Sequence, residues 1–313
     1  MVMNRKYAIG VDVGGSHISS VLVDIESKAI IPDSYAEQKV DNKATSEEIL
    51  DNWSAAIRKT LNSIEPENLL GIGFAMPGPF DYENGISQIQ GVDKYEALYG
   101  VNVTNELRDR LQLNQSVPLR YLNDAMSFGV GECWMGEASA YENVVAITLG
   151  TGFGSAFLSN GIPVIEGKSV PKMGYVYHIS YENGIADDYF STRWFIDEYQ
   201  KRTGVKCSGV KEIADKANNE VEAEKLFSDF GNSLGNFLSP LLESFNADCL
   251  VIGGNISGAY NLFGPSFEKA LKSSGLNIEI AISGLMETAA MAGSGRLADE
   301  AYWTDIKHLI PNI

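Results

Sequence analysis

The fold is organised around Ile9–Asp24, which reads IGVDVGGSHISSVLVD. Its apolar start indicates a buried strand, the pair Gly14 and Gly15 a tight turn, and the second apolar run a returning strand. Glycines in such a turn allow positive φ and leave room for another group to approach the backbone. Two exposed N–H groups beside the Ser16 hydroxyl would form a phosphate cradle, and Asp12 could hold a hydrated Mg²⁺ next to it. A plain hairpin turn is the alternative interpretation.

The same order of features occurs again near the middle of the chain. Val144–Leu149 is apolar, Gly150, Thr151 and Gly152 begin a turn, and a short apolar run follows. Two strand–glycine–strand units, each with a hydroxyl in the turn, indicate two halves that are built alike. Two facing cradles could bind a polyphosphate chain from both sides, whereas a chance pair of hairpins would bind nothing.

A third glycine pair, Gly253 and Gly254, follows the apolar run Cys249–Ile252 and precedes Asn255. A turn of this kind would let the ribose or base of a nucleotide lie against the backbone. One Gly-Gly turn is weak evidence, but three glycine turns at strand ends are better evidence of a nucleotide site.

Asn123 and Asp124 lie where a predicted strand, Pro118–Leu122, meets a predicted helix, Ala125–Met135. A carboxylate in this position has two interpretations. It can cap the helix, which is the commoner role, or it can act as a general base in a cleft between two domains. Its position just before the second glycine unit favours the base.

Composition narrows the classes of function. The 313 residues are enough for two domains, and 44% are hydrophobic, which allows an ordinary core. A formal net charge of −17 disfavours nucleic acid and anionic membranes as partners. We expect neither a signal peptide nor a membrane span, because a strand begins almost at once and no apolar run reaches ~18 residues. Cys133, Cys207 and Cys249 are too far apart for a disulfide framework or a zinc site, which favours a cytoplasmic protein.

Strand and helix signals alternate along the chain, which predicts an α/β fold. Aromatic residues at helical spacing in the segment Asp188–Arg202 are interpreted as core, and Pro240 predicts a kink or a break. Further predicted strands are Leu69–Met76 and Asn277–Ile282. The predicted helices are one after the capping box Thr45–Glu48, then Val103–Leu113, Ala125–Met135, Asp188–Arg202, Val221–Phe245, Phe267–Ser273 and Thr288–Tyr302.

Five motifs, in order, resemble those of the ROK family of sugar kinases and repressors, within the actin–hexokinase–Hsp70 superfamily. They are Ile9–Ser16 as the first phosphate motif, Gly71–Asp81 as the sugar-side loop, Asn123–Glu132 as the catalytic segment, Thr148–Gly152 as the second phosphate motif and Val251–Gly254 as the adenosine motif. The resemblance implies a two-domain actin-like ATPase (ribonuclease H-like) fold with a cleft between the domains. It implies a small domain at 1–122, completed by a C-terminal helix at about 297–313, and a large domain at 123–296.

By this resemblance, Asp124 takes the proton from a sugar hydroxyl, which then attacks the γ-phosphate of ATP. Mg²⁺ neutralises the phosphates, and Asp12 holds it through water. The residues implied to bind nucleotide and phosphate are Asp12, Gly14, Gly15, Ser16, Gly150, Thr151, Gly152, Gly253, Gly254 and Asn255. Those implied to bind the sugar are Gly78, Pro79, Asn123, Lys172, Tyr175 and Asp187.

The segment Lys172–Tyr175 departs from the family pattern. Family sugar kinases have Glu-x-Gly-His there, followed by a cysteine-rich zinc segment, and this chain has neither the His nor the cysteines. We therefore predict no zinc site, with the loop Gly167–Ile185 held by the packing of Tyr175, Tyr177, Tyr181 and Tyr189.

Lys172 replaces a carboxylate, which inverts the hydrogen-bonding polarity at this point of the sugar pocket. A partly buried ammonium needs a partner. We expect an ion pair with a nearby carboxylate, with Asp187 as the favoured partner, or else a negative group on the substrate. Asp187 lies four residues before Ser191, where the family has its last sugar-binding Glu.

The expected function is an ATP-dependent carbohydrate kinase acting on a hexose or hexose derivative, with glucose as the family default. The phosphate motif begins near residue 9, without the helix-turn-helix of the repressor branch, which favours a kinase. Two alternatives remain: a non-catalytic sugar- or nucleotide-binding sensor on the same fold, and a polyphosphate-dependent glucokinase. The expected partner is a small sugar, and a homodimer is possible.

Overall fold

Two glycine hairpins begin two sheets in the computed structural model, which describes residues 6–312. The first hairpin joins β1 (Tyr7–Val13) to β2 (His17–Asp24), as predicted. The remaining described strands are β3 (Ala29–Ile30), β4 (Ala36–Lys39), β5 (Leu69–Met76), β6 (Phe80–Asp81), β7 (Ile86–Ser87), β8 (Leu119–Asn123), β9 (Asn143–Leu149), β10 (Phe153–Ser159), β11 (Ile162–Pro163), β12 (Ser180–Tyr181), β13 (Gly184–Ile185), β14 (Cys249–Gly253) and β15 (Glu279–Ile282).

The helices follow the capping and spacing signals of the sequence in most places. The described α-helices are α1 (Ser46–Leu61), α2 (Val103–Leu111), α3 (Asp124–Met135), α4 (Ala186–Tyr189), α5 (Thr192–Thr203), α6 (Val210–Lys216), α7 (Val221–Phe245), α8 (Tyr260–Ser273), α9 (Thr288–Arg296) and α10 (Glu300–Ile306). The predicted capping box is present, because the Thr45 hydroxyl accepts from the Glu48 N–H and the Glu48 carboxylate accepts from the Thr45 N–H. Within residues 6–312, no helix combines the length and apolar character that a membrane crossing requires.

The chain divides into two compact units. Within the described residues, the first unit comprises 6–139, 161–163 and 287–312, and the second comprises 140–160 and 164–286. This division differs from the domain boundary predicted after residue 122, because α3 packs against α9 and β5 inside the first unit. The C-terminal segment also joins the first unit earlier, at residue 287 rather than at about 297.

The two units contain sheets with the same strand order. In the first unit, β2, β1, β5 and β8 lie side by side, with β1 antiparallel to β2 and parallel to β5. In the second unit, β10, β9, β14 and β15 lie in the corresponding order, with β9 antiparallel to β10 and parallel to β14. The prediction of two halves built alike is therefore confirmed.

Parallel strands bring the predicted site residues to one edge of each sheet. Asp12 on β1 is paired with Ala75 on β5, and β5 runs parallel to β8, which ends at Asn123. In the second unit, Gly253 at the end of β14 is paired with Thr148 near the end of β9. Each sheet therefore carries its glycine turn beside the carboxyl end of a parallel strand.

Helix α9 lies against the first sheet and α3 with almost no space between the backbones. A Cβ added to Gly10 on β1 would lie 1.8 Å from the carbonyl oxygen of Met291. One added to Gly131 on α3 would lie 2.0 Å from the carbonyl oxygen of Ala289. Any side chain at Gly131 would overlap a neighbouring backbone, so the close packing of α3 against α9 requires glycine there.

Two predicted helices are interrupted in the structure. The segment predicted as one helix from Asp188 to Arg202 forms α4 and α5, because the buried Ser191 is extended with φ −137° and ψ 167°. The segment predicted from Thr288 to Tyr302 forms α9 and α10, because the Asp299 side chain caps a new helix. Helix α7, in contrast, continues through Pro240 without a break.

Aromatic rings form much of the core of the second unit. The ring of Phe195 on α5 lies 4.6 Å from that of Phe230 on α7, which lies 5.3 Å from Phe263 on α8. All three side chains are fully buried. The interpretation of the aromatic residues around Phe195 as core is therefore confirmed.

The loop Gly167–Ile185 contacts this core through Tyr181. Its ring lies 5.1 Å from that of Tyr189 and 5.5 Å from that of Phe237, both edge to face. Tyr177 is different, because its side chain is 45% exposed and its packing contributes little burial. Tyr181 and Tyr189 therefore carry the packing predicted for this loop.

Candidate functional site

The first glycine turn begins directly after Asp12 and Val13 at the end of β1. The Gly14 N–H donates to the carbonyl oxygen of His17 at 3.0 Å, which closes the turn. Neither Gly14 nor Gly15 uses the positive φ that glycine allows. The space expected there is present at Gly15, because a Cβ added to it would meet nothing within 4 Å.

The carbonyl groups of this turn are bound from outside it. The Tyr95 hydroxyl donates to the Gly14 carbonyl oxygen at 2.6 Å, and the Asn42 side-chain amide donates to that of Gly15. The backbone N–H groups of Gly15 and Ser16 donate to no residue within 6–312. Two unpaired N–H groups at an open turn form a surface that suits an anion.

The second glycine turn has a comparable arrangement. The Gly150 carbonyl oxygen accepts from the N–H of Thr192 at 2.8 Å and from its hydroxyl at 2.9 Å. A Cβ added to Gly150 would meet open space. No acceptor among the described residues takes up the N–H groups of Thr151 and Gly152. Each unit therefore presents a glycine turn with bound carbonyl groups and free N–H groups.

The third turn lies beside the second one. Gly254 has a φ of +80°, and a Cβ added to it would lie 2.4 Å from the carbonyl oxygen of Leu149, immediately before Gly150. Only glycine fits this conformation and this close approach. Asn255, which is exposed, begins a short 3₁₀-helix, Asn255–Ala259. Gly253, at the end of β14, completes the turn, and so three of the predicted nucleotide residues adjoin the second turn.

Asn123 and Asp124 have separate roles at the start of α3. The Asn123 side-chain oxygen accepts from the N–H groups of Ala125 at 3.1 Å and Met126 at 3.3 Å. It is therefore Asn123 that caps the helix. Asp124 is the first helical residue, and its exposed carboxylate accepts only from the Ala125 N–H among the described residues. The capping interpretation thus belongs to Asn123, and the Asp124 carboxylate faces solvent.

Two carboxylates, those of Asp124 and Glu287, act on the Asp12 carboxylate in the first unit. Its pKa is raised to about 7, chiefly by burial and further by the negative charges of Asp124 and Glu287. A charge effect of this kind requires Asp124 to lie near Asp12, as a shared site also requires. The sequence did not predict that Glu287 belongs to this site, because it lies far from Asp12 and Asp124 along the chain. Its position just before a predicted helix was the only local signal.

The predicted sugar residues are distributed over both units. Gly78 and Pro79, joined by a cis peptide bond, follow β5 in the first unit, where a Cβ on Gly78 would lie 3.4 Å from the Tyr82 hydroxyl. Tyr175 is partly buried in the second unit, with its ring 5.9 Å from that of Tyr177.

The expected ion pair between Lys172 and Asp187 is wrong. Asp187 accepts from the Phe153 N–H at 2.7 Å with one carboxylate oxygen and from the Arg193 guanidinium at 2.9 Å with the other. Lys172 is exposed, and no carboxylate among the described residues lies within ion-pair distance of it. The reason is that Lys172 reaches water and needs no internal partner. The structure instead places Asp187 against Gly152, at the second turn.

Comparison with known proteins supports this arrangement of motifs. The family model described as "ROK family" matches residues 8–300. A glucokinase of Thermotoga maritima is 27% identical over 95% of this chain and 99% of its own length. A xylose repressor of Bacillus spizizenii is 24% identical over 98% of this chain and 81% of its own length.

Solved structures agree on the fold. A ROK family glucokinase from Streptomyces griseus, in complex with glucose and AMPPNP, superimposes with a TM-score of 0.72 at 20% identity, covering 93% of this chain and 98% of that one. The predicted α/β fold of the actin-like ATPases is confirmed, since two sheets of like strand order and this match agree. With its sequence motifs, its fold and a family match over most of its length all in agreement, the chain belongs to the ROK family.

Proposed function

We propose that the protein is an ATP-dependent carbohydrate kinase, which transfers the γ-phosphate of ATP to a hydroxyl of a hexose or hexose derivative. The observation that carries the proposal is Asp124. Its carboxylate is exposed, and its negative charge contributes to the raised pKa of Asp12. Asn123 caps α3, so the Asp124 carboxylate is not needed as a cap. A carboxylate in this position can accept the hydroxyl proton as the new oxygen–phosphorus bond forms.

The phosphates of ATP would be bound by the N–H groups of the two glycine turns. Gly15 and Gly150 leave open space beside those groups, which a phosphate oxygen can occupy. Gly253, Gly254 and Asn255 would support the nucleoside, because they adjoin the second turn. The N–H groups of Ser16, Thr151 and Gly152 complete the proposed phosphate contacts, and Gly14 supports them because its own N–H closes the first turn.

The first unit has carboxylate groups of the kind that bind Mg²⁺. Carboxylate oxygens are the ligands that Mg²⁺ prefers, and Mg²⁺ keeps several of its waters. Asp12 is the residue that would hold the ion through water, since burial and the charges of Asp124 and Glu287 raise its pKa and a cation would stabilise its charged form. When bound, the ion neutralises charge on the phosphates. No group of three His, Cys, Asp or Glu side chains within residues 6–312 is arranged to hold a metal directly.

The sugar would be bound by Gly78, Pro79, Asn123, Tyr175 and Asp187. Asn123 has an amide group that donates to no described residue, so it can donate to a sugar oxygen while its carbonyl oxygen caps α3. Glucose is the first substrate to test, because the relatives include glucokinases and the Streptomyces griseus structure contains glucose. The Lys172 ammonium, which pairs with no carboxylate among the described residues, would favour a substrate with a negative group if it reaches the pocket.

The decisive experiment replaces Asp124 with Asn. We expect the turnover number to fall roughly 10²-fold or more, because general-base catalysis contributes about that much. ATP binding and the unfolding temperature should be preserved, since Asn123 still caps α3. The control is Glu47→Gln, which removes an exposed carboxylate from the first turn of α1 and should leave turnover unchanged. Turnover of Asp124→Asn within a few-fold of the parent would exclude Asp124 as the base.

The second candidate is a non-catalytic sensor, which the similarity to a xylose repressor favours. The two functions are separated by measuring ATP turnover across hexoses, amino sugars, sugar acids and phosphosugars. A kinase converts at least one sugar, whereas a sensor binds a sugar or nucleotide and converts none. Polyphosphate supplied in place of ATP in the same assay tests the remaining choice of phosphate donor.

A further inference from the structure

The first glycine turn accepts hydrogen bonds from two segments that are distant in the sequence. Tyr95 lies in the segment 91–99, and its hydroxyl donates to the Gly14 carbonyl oxygen at 2.6 Å. Asn42 precedes α1, and its side-chain amide donates to the Gly15 carbonyl oxygen. The two segments are bound to each other, because the Tyr95 N–H donates to the Asn42 carbonyl oxygen at 2.7 Å. A surface ion pair at 3.0 Å between Lys43 and Asp93 joins them again.

These contacts determine where the free N–H groups of the turn point. In a trans peptide unit the C=O and N–H bonds point in opposite directions. Binding the Gly14 carbonyl therefore fixes the direction of the Gly15 N–H, and binding the Gly15 carbonyl fixes that of the Ser16 N–H. Both N–H groups are held opposite the side on which Tyr95 and Asn42 lie, where no described residue accepts from them.

Tyr95 is placed for this contact at a conformational cost. Its φ is +54°, in the left-handed region that a bulky side chain rarely adopts. Its side chain is fully buried, with the ring 5.4 Å from that of Trp53 and nearly perpendicular to it. Burial is also the main reason that the pKa of Tyr95 is raised to about 12, so the hydroxyl keeps its proton and remains a donor. A strained backbone around a buried donor is typical of functional sites.

We propose that Tyr95 and Asn42 are positioning residues, which hold the first glycine turn so that the N–H groups of Gly15 and Ser16 are preset to bind a phosphate of ATP. Neither residue contacts the phosphate itself. Because its ligand is ATP, the inference rests on the proposed function. Preset donors bind more tightly than mobile ones, because their ordering is already complete before the ligand arrives.

The test removes one hydrogen bond at a time and measures the affinity for a non-hydrolysable ATP analogue with Mg²⁺ by calorimetry. Tyr95→Phe keeps the ring against Trp53 and deletes only the hydroxyl, and Asn42→Ala deletes the amide. We expect each change to raise the Kd for the analogue roughly 3- to 10-fold, because the loosened turn must then be ordered when the ligand binds. The KM for ATP should rise in proportion, and the KM for the sugar should not change.

The matched control is Tyr302→Phe. Tyr302 is also a buried tyrosine of the first unit, and its hydroxyl donates to a glycine carbonyl, that of Gly161, at 3.0 Å. Its loss should lower the unfolding temperature about as much as Tyr95→Phe does, without changing the affinity for the analogue.

The outcomes are distinguishable. Parent-like affinity in both Tyr95→Phe and Asn42→Ala would overturn the inference, and so would an equal loss of affinity in Tyr302→Phe, which would indicate general destabilisation. A parent protein that binds no nucleotide under any condition would instead remove the proposed function, and the inference with it.

Discussion

Asp12 is the residue whose charge depends most on its surroundings. Its folded-state pKa is about 7, whereas an aspartate in an unfolded chain has a pKa of ~3.9. Between these values the folded state keeps a proton that the unfolded state has lost. Stability from this group is therefore complete below pH ~4, falls as the pH rises towards 7, and is constant above that.

We predict that Asp12→Asn stabilises the metal-free protein, and more so at pH 8 than at pH 5. The variant cannot ionise, so it escapes the burial and repulsion that penalise the charged carboxylate. The gain in unfolding temperature should be larger at pH 8 by about 2 °C or more, measured by thermal unfolding without Mg²⁺. Glu287→Gln should show a smaller gain in the same direction, because burial outweighs the charge of Glu287. An identical gain for Asp12→Asn at both pH values would contradict the raised pKa.

At this scale the sequence predicts residues better than it predicts their partners. Asp12 and Asp124 could be identified because Asp12 lies at the end of one buried strand and Asp124 directly follows another. Glu287 could not, since its approach to Asp12 depends on how α9 packs against the sheet. The pairing of Lys172 with Asp187 was wrong for a similar reason, because Arg193 lies closer on the following helix.

Helix α9 packs so closely against its neighbours that added side-chain atoms would overlap its backbone. It lies against β1, β5 and α3, and the backbones meet at glycines rather than at side chains. Its first turn follows Glu287, so a shift of α9 would also move a charge away from Asp12. A change in the position of α9 would therefore change the pKa of Asp12.

We predict that Gly131→Ala destabilises the protein by about 2 kcal/mol or more, because its Cβ would lie 2.0 Å from the carbonyl oxygen of Ala289. The measurement is denaturant unfolding. Gly258→Ala is the control, since that glycine is exposed and its added Cβ would meet open space, so the change should stay within about 0.5 kcal/mol. Comparable losses in both variants would show that close packing at α9 is not the cause.

Element types could be predicted from periodicity, but their interruptions could not. The spacing of aromatic residues continues across Ser191, so the pattern reads as one helix where the structure has two. The extended backbone at Ser191 is fixed by tertiary contacts, because Thr192 beside it binds the Gly150 carbonyl. That contact joins residues 42 positions apart, which no local pattern can show.

For the whole molecule, we predict that no zinc ion is needed for stability. Cys133, Cys207 and Cys249 form no disulfide within residues 6–312, and the ring of Tyr181 packs the loop Gly167–Ile185 against the core. Incubation with EDTA should leave the unfolding temperature of the unliganded protein unchanged, and metal analysis should find no zinc in proportion to protein. A fall with EDTA that added Zn²⁺ reverses would show the prediction to be wrong.

The repeated architecture could be predicted from the two glycine hairpins, because each begins a sheet of the same strand order. The extent of the units could not. Helix α3 follows β8 in the sequence, and its packing against β5 and against α9, about 160 residues later, assigns it to the first unit. Boundaries of this kind depend on contacts between segments that are distant along the chain.

The division of labour between Asn123 and Asp124 also has an evolutionary consequence. On the proposed role of Asp124, a single codon change there would abolish phosphoryl transfer and leave α3 intact, because Asn123 caps the helix. The inactive variant would still fold and bind its ligands, and a regulator could evolve from such a protein. The ROK relatives of this chain include both a glucokinase and a xylose repressor. On this proposal, replacing Asp124 at the start of α3 would turn an enzyme into a binding protein without loss of the fold.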